Sequence, residues 1–180
     1  LPVERFRVTA EGCEQAFVVA AGDGFAIRWS QASEILGATV GALGMDWPVG
    51  YVSEISLGLK PWVTQLTESL RQGLVLLFDY GLSRREYYAA DRSGGWTRCH
   101  FRHRAHSEPL IYPGIQDITA WVDFTSVAEA AAEKAIDDKE LKAERDSHSV
   151  EKRRFIIVQD DARDDLLTDF GKETLKDRYL

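Results

Sequence analysis

Polar and apolar residues alternate where the chain opens. From Val3 to Val8, Arg5 and Arg7 interleave with Phe6 and Val8, the period of two that turns one face of a strand toward a core. Glu11-Gly12 supplies a turn, Ala16 to Ala20 a second strand, Gly22-Asp23-Gly24 a tight turn and Phe25 to Trp29 a third strand. Residues 1–29 therefore read as a β-meander, a unit that more often builds structure than carries chemistry. Gly37, Gly41, Gly44 and Pro48 among apolar residues mark 30–50 as a loop-rich connection around one short helix. The period then changes. Pro61 opens a helical stretch to Gln72 with Gly73 past its end, and Trp62, Leu66 and Leu70 at i, i+4, i+8 predict its buried face.

Leu74-Val75-Leu76-Leu77-Phe78 follows as an unbroken apolar run ending in Asp79-Tyr80-Gly81. A strand apolar on both faces belongs in the middle of a parallel sheet covered by helices. Ligands of such sheets sit beyond the carboxyl ends of the strands, which is where Asp79-Tyr80-Gly81 falls. Residues 82–124 have no long period, yet their aromatic content (Tyr87, Tyr88, Trp96, Phe101, Tyr112, Trp121 among others) argues for an ordered, functional segment. Thr125 to Ala135 reads as an Ala-rich helix with Thr125 as N-cap. Residues 134–154 are charge-rich, a solvated helix or linker. Phe155 to Val158 reads as a lone strand, and the remainder as an amphipathic helix broken at Gly171.

Composition narrows the class. The chain has 180 residues, 44% hydrophobic and 28% charged, enough for one domain with a real core. A net charge of −7 gives no general attraction to nucleic acid or anionic membrane. Cys13 and Cys99 stand far apart without a CxxC partner, which points away from zinc or redox motifs and toward a reducing, cytoplasmic setting. No apolar run reaches the roughly 18 residues of a membrane span, and no signal peptide opens the chain. It begins at Leu1 inside a strand-like run, which suggests a truncated frame or an excised domain.

Candidate chemistry is concentrated in the aperiodic stretch. His100, His103 and His106 recur every third residue with Arg102 and Arg104 between them. Positive charge beside a cation site is unfavourable, so a metal site is set aside. Arg98 to His106 reads either as a hydrogen-bonding, anion-contacting segment in which a histidine could act as base, or as an exposed polar strand. Asp117, after the Pro113-Gly114 turn, either caps the next element or accepts a hydrogen bond from a substrate guanidinium or amine. Glu54 and Asp123 are lone carboxylates, structural when taken alone. Gly22-Asp23-Gly24 and Gly94-Gly95 precede no helix of a βαβ unit, and no GxGxxG, P-loop, GxSxG or HExxH occurs.

Several blocks together resemble one family. Trp47-Pro48-Val49-Gly50-Tyr51-Val52-Ser53-Glu54-Ile55-Ser56, then Gly73 to Gly81 ending in Asp-Tyr-Gly, are similar to segments of MidA-family S-adenosylmethionine-dependent methyltransferases. So are Cys99 to His106 and Pro113-Gly114-Ile115-Gln116-Asp117-Ile118-Thr119-Ala120-Trp121-Val122-Asp123-Phe124. Leu1-Pro2-Val3 with Phe6 is like the point where the family's chain enters an inserted β-region. The resemblance covers about residues 1–132. It implies an α/β fold: the C-terminal part of a Rossmann-like class I methyltransferase sheet with a β-rich insertion, incomplete at its N-terminus. On that division 1–50 is the insertion, 51–133 the late sheet elements, 134–154 a charged linker and 155–180 a foreign-looking tail.

The resemblance also implies methyl transfer from S-adenosylmethionine to a protein substrate, with an arginine as acceptor. Mitochondrial relatives assist assembly of respiratory complex I through one of its subunits. Asp79, Tyr80, His103, His106 and Asp117 become the catalytic candidates, and Glu54, Arg104, Thr119 and Asp123 the substrate-binding ones. The family's Gly-rich loop and ribose-binding acidic residue would precede Leu1, so this chain alone is expected to be inactive, a protein-binding module or a remnant. Residues 163–180 resemble instead the N-terminal leader of the ribonucleotide reductase large subunit, and the composition break near Lys134 fits a junction between two coding segments.

Overall fold

The structure is a computed structural model and describes residues 2–69, 73–132 and 153–160. The charged stretch 134–152 and the helix anticipated after Asp160 lie outside the described residues. The chain divides into two units: Leu1–Gly58 with Arg85–Trp121, and Leu59–Arg84 with Val122–Leu180. This division cuts across the sequence-based boundaries, because the aperiodic segment folds with the β-rich start of the chain and not with the late sheet elements.

In the first unit β1 (Glu4–Thr9), β2 (Gly12–Ala21) and β3 (Gly24–Gln31) form the expected meander. Gly22 opens the second hairpin at φ 57, a conformation glycine enters without steric cost. α1 (Glu34–Ala42) is the one helix of the 30–50 stretch. Ser33 caps it, its hydroxyl oxygen accepting from the Leu36 amide at 3.3 Å. β4 (Val52–Ile55) then pairs antiparallel with β1 and completes a sheet of order β3-β2-β1-β4.

The core of this unit is aromatic. Phe6, Tyr51 and Tyr88 are wholly buried, with Trp47 stacked on Tyr51 at 5.1 Å and Trp96 on Trp121 at 4.4 Å. The indoles also act as ties. Trp47 Nε1 donates to the Tyr88 carbonyl and Trp96 Nε1 to the Tyr87 carbonyl, each at 2.8 Å. Large rings with one polar atom can thus organise loops that no periodic element supports. A second sheet, of order β7-β6-β8, is built from β6 (Arg98–Phe101), β7 (Arg104–His106) and β8 (Asp117–Thr119).

In the second unit α2 (Leu59–Ser69) leads to β5 (Gly73–Leu82). The buried face of α2 is Leu59, Val63 and Thr67, one position on from the predicted stripe; Trp62 is half-buried, and Leu70 lies outside the described residues. Thr67 can be buried because its hydroxyl donates to the Val63 carbonyl at 2.7 Å. β5 lies at the centre of a parallel sheet of order β10-β5-β9, with β9 at Val122–Asp123 and β10 at Arg153–Asp160. Residues 155–158 are therefore not a lone strand. The pairing runs from Arg153↔Gly73 to Asp160↔Tyr80 and fills one hydrogen-bonding edge of β5.

Residues 124–132 form helix α4, which packs with α2 over Leu77 through Phe124, Val127, Ala130 and Ala131. The sequence predicts both faces of β5 to be covered, and among the described residues only one is. Leu76, Phe78 and Tyr80 are 48%, 69% and 55% exposed, because both helices that cover the strand lie on its Leu77 side. Among the described residues no helix is long and apolar enough to cross a membrane.

Candidate functional site

Strand register decides which polar groups of the small sheet meet. His100 on β6 stands opposite Ala105 on β7 and Asp117 on β8, and Arg98 stands opposite Thr119. Directly paired residues share a face. Arg98, His100, Asp117 and Thr119 therefore line one exposed face, and Thr119 ties it by donating from Oγ1 to the Arg98 carbonyl at 3.3 Å. Cys99 occupies the opposite face and is fully buried; burial, and then the Glu108 charge, push its thiol above the usual range. His100 belongs to the histidine run but not to the candidate set drawn from the sequence. What brings it to Asp117 is a pairing with a strand 17 positions further on, for which no local signal exists.

His103 and His106 have different settings. His103 sits with Arg102 in the two-residue loop between β6 and β7, both in the left-handed region at φ 62 and φ 49. His106 lies on β7, edge-on to Tyr112 at 5.9 Å, and its Nδ1 accepts from the Glu108 amide at 3.3 Å. That bond assigns the proton of the neutral ring to Nε2, which is buried and has no partner among the described residues. His106 is thus set to donate from Nε2 and is poorly set to act as a base there. Arg104 is exposed.

Asp79 and Tyr80 belong to the second unit, at the carboxyl end of β5. Both are exposed, and Asp79 Oδ1 accepts from the Tyr80 amide at 2.8 Å, its second oxygen having no partner among the described residues. Gly81 follows because β9 passes too close for a side chain: a Cβ there would strike the Val122 carbonyl and the Phe124 ring.

The remaining two candidates act inside the fold. Glu54 is fully buried. Its Oε2 accepts from the Trp96 amide at 2.9 Å, and its Oε1 from the Thr97 amide and hydroxyl at 3.1 and 2.6 Å. Arg5 Nε lies 3.7 Å from Oε1 and supplies a counter-charge. Asp123 caps α4: Oδ1 accepts from the Thr125 and Ser126 amides at 3.0 and 3.2 Å, and Oδ2 from the Ser126 hydroxyl at 2.6 Å. The cap was expected at Thr125, whose hydroxyl accepts from the Arg84 amide at 3.0 Å instead. A carboxylate two residues upstream outcompetes the hydroxyl because its two oxygens satisfy three donors at once.

Among the described residues no three His, Cys, Asp or Glu side chains converge on a common point suited to a metal ion. The carboxyl end of β5 does not fit a nucleotide-like cofactor either. The step from β5 to the next helix, α3 (Arg84–Tyr87), is Ser83 alone, α3 is four residues long, and the space beside Gly81 is filled by the chain itself.

Residues 1–139 match a family described as "Putative S-adenosyl-L-methionine-dependent methyltransferase". Two solved structures from Burkholderia thailandensis, of one superfamily, are similar to the chain. An uncharacterized protein shares 31% identity at a TM-score of 0.66, the match covering 74% of this chain and 36% of that one. A methyltransferase candidate bound to S-adenosyl-homocysteine shares 32% identity at a TM-score of 0.65, covering 74% and 35%. The chain spans about a third of the length of these relatives. No protein of curated function matches it. The chain belongs to this family of S-adenosyl-L-methionine-dependent methyltransferases.

Proposed function

We propose that the chain is the acceptor-side part of a methyltransferase that modifies a protein arginine, and that its parallel β5-β9 pair is the late portion of a Rossmann-like fold. The observation that carries this reading is the exposed Asp79-Tyr80 pair at the carboxyl end of a central parallel strand, where open α/β sheets hold their ligands. A guanidinium acceptor calls for carboxylates that fix its plane and take its proton as the methyl group arrives. Asp79 has an oxygen without a partner among the described residues for that task, and in the other unit Asp117 with Thr119 offers a polar face of its own. The likeness to MidA-type relatives adds a respiratory complex I subunit as the class of protein substrate. S-adenosylmethionine supplies the methyl group in this family.

In an intact relative, transfer of a tritiated methyl group from S-adenosylmethionine to an arginine-containing acceptor should fall at least tenfold in Asp79→Asn and Asp117→Asn. Unchanged rates in both would remove these roles. A second reading, a protein-binding module without catalysis, is favoured by the poor fit of the carboxyl end of β5 to the cofactor. An intact relative separates the two: methyl transfer to the acceptor supports an enzyme, and acceptor binding without transfer supports the module.

A further inference from the structure

We propose that the tip of the β6–β7 hairpin docks an acidic segment of a partner protein through Arg102 and Arg104, which lie with Phe101 on one face of it. The chain carries a net charge of −7, yet Arg98 to Arg104 holds three arginines, two histidines and no carboxylate. Arg98, on the opposite face of β6, donates to the Thr97 carbonyl at 3.1 Å; among the described residues Arg102 and Arg104 form no hydrogen bond or ion pair. Asp117, opposite His100, is the acidic group on this sheet, and Glu108 follows just beyond β7.

Two features prepare the tip for carboxylates. The Arg102 guanidinium lies over the Phe101 ring at 5.2 Å, and Phe101 stacks on Tyr112 at 4.5 Å. Arg102 is exposed, so its guanidinium is open to a carboxylate, which it can bind through two N–H groups at once. The loop itself is strained. Arg102 and His103 both take left-handed backbone in a two-residue turn that Asn-Gly would occupy without strain. A fold that keeps strained residues at an exposed tip is keeping their side chains. The patch is one hairpin wide, too narrow to follow a nucleic-acid backbone or lie along an anionic membrane, and wide enough for a few carboxylates of an extended peptide.

Binding is measured on the full chain without cofactor, so the result is independent of methyl transfer. The probe is a fluorescein-labelled decaglutamate peptide read by fluorescence polarisation. Wild type should bind, more weakly as salt rises. R102N/H103G should melt at or above the wild-type temperature and bind about tenfold more weakly; Arg104→Gln should also lose affinity, and Arg28→Gln, exposed on β3, should not. The proposal is overturned if wild type ignores the peptide, or if R102N/H103G binds it as well as wild type. Equal loss in Arg28→Gln, a lower melting temperature for R102N/H103G, or capture of an oligonucleotide or phosphatidylserine vesicles without the peptide would overturn it too.

Discussion

Glu54 and Gly95 fit only one another. Gly95 sits at φ 77, and a Cβ built there would overlap the Glu54 carboxylate, whose oxygens are already committed to the amides of Trp96 and Thr97. Gly95→Ala should therefore cost about 3 kcal/mol in urea unfolding, through overlap and backbone strain together; a loss below about 1 kcal/mol would mean the carboxylate has room to move. Tyr51 offers a test in alkali. Burial raises its phenol above the usual range; Ser53 and Trp47 pull it back in part without closing a hydrogen bond of ordinary geometry, and the Glu54 charge raises it further. The folded state then resists ionisation that the unfolded chain undergoes from about pH 10. Stability is intact below that pH and falls above it. Tyr51→Phe should flatten the fall between pH 9 and 11, and equal slopes in the two proteins would contradict this. None of these roles was legible in the sequence. Glu54 looked like a lone carboxylate because its partners lie some forty residues on.

Elements were legible where their determinants are local. The meander followed from alternation and from Gly22-Asp23, and α2 from helical spacing and Pro61, while α1 reads in the sequence only as one short helix in a loop-rich connection. What escaped was pairing at a distance: β4 onto β1, β8 onto β6, and β10 onto β5. Register cannot be read from one strand, because the hydrogen-bonding groups of all strands are alike. Hence Asp117 and Thr119 could be named from the sequence, whereas their facing partners could not. The α4 cap is the element-scale prediction. Asp123→Ala should destabilise by about 1–2 kcal/mol, with Asp123→Ser recovering most of it. If both variants unfold together at the wild-type urea midpoint, the contacts of Asp123 with Ser126 and Arg84 carry no net energy.

At the scale of the molecule, the apolar run 74–78 correctly marked a central strand but overstated its burial. Alternate side chains of β5 face α2 and α4, while Leu76, Phe78 and Tyr80 face outward. An apolar face of this kind associates with whatever apolar surface it meets. Phe78→Lys should therefore reduce binding of a hydrophobic dye and raise the concentration at which the chain aggregates. Its unfolding midpoint should stay within about 0.5 kcal/mol of wild type, since the ring is mostly exposed; unchanged dye binding would show that the face is not the sticky one.

The interleaved division of the chain has a consequence for synthesis. Residues 59–84 of the second unit are made before residues 85–121 finish the first, and the second in turn waits for Val122 onward. A ribosome therefore delivers β5 into solution while its partners β9 and β10 are still unmade and while the pocket for Glu54 has no Gly95-Trp96-Thr97 to close it. Neither unit can fold as the chain emerges; both must wait for their last segments, and during that delay β5 is the stretch most in need of a chaperone.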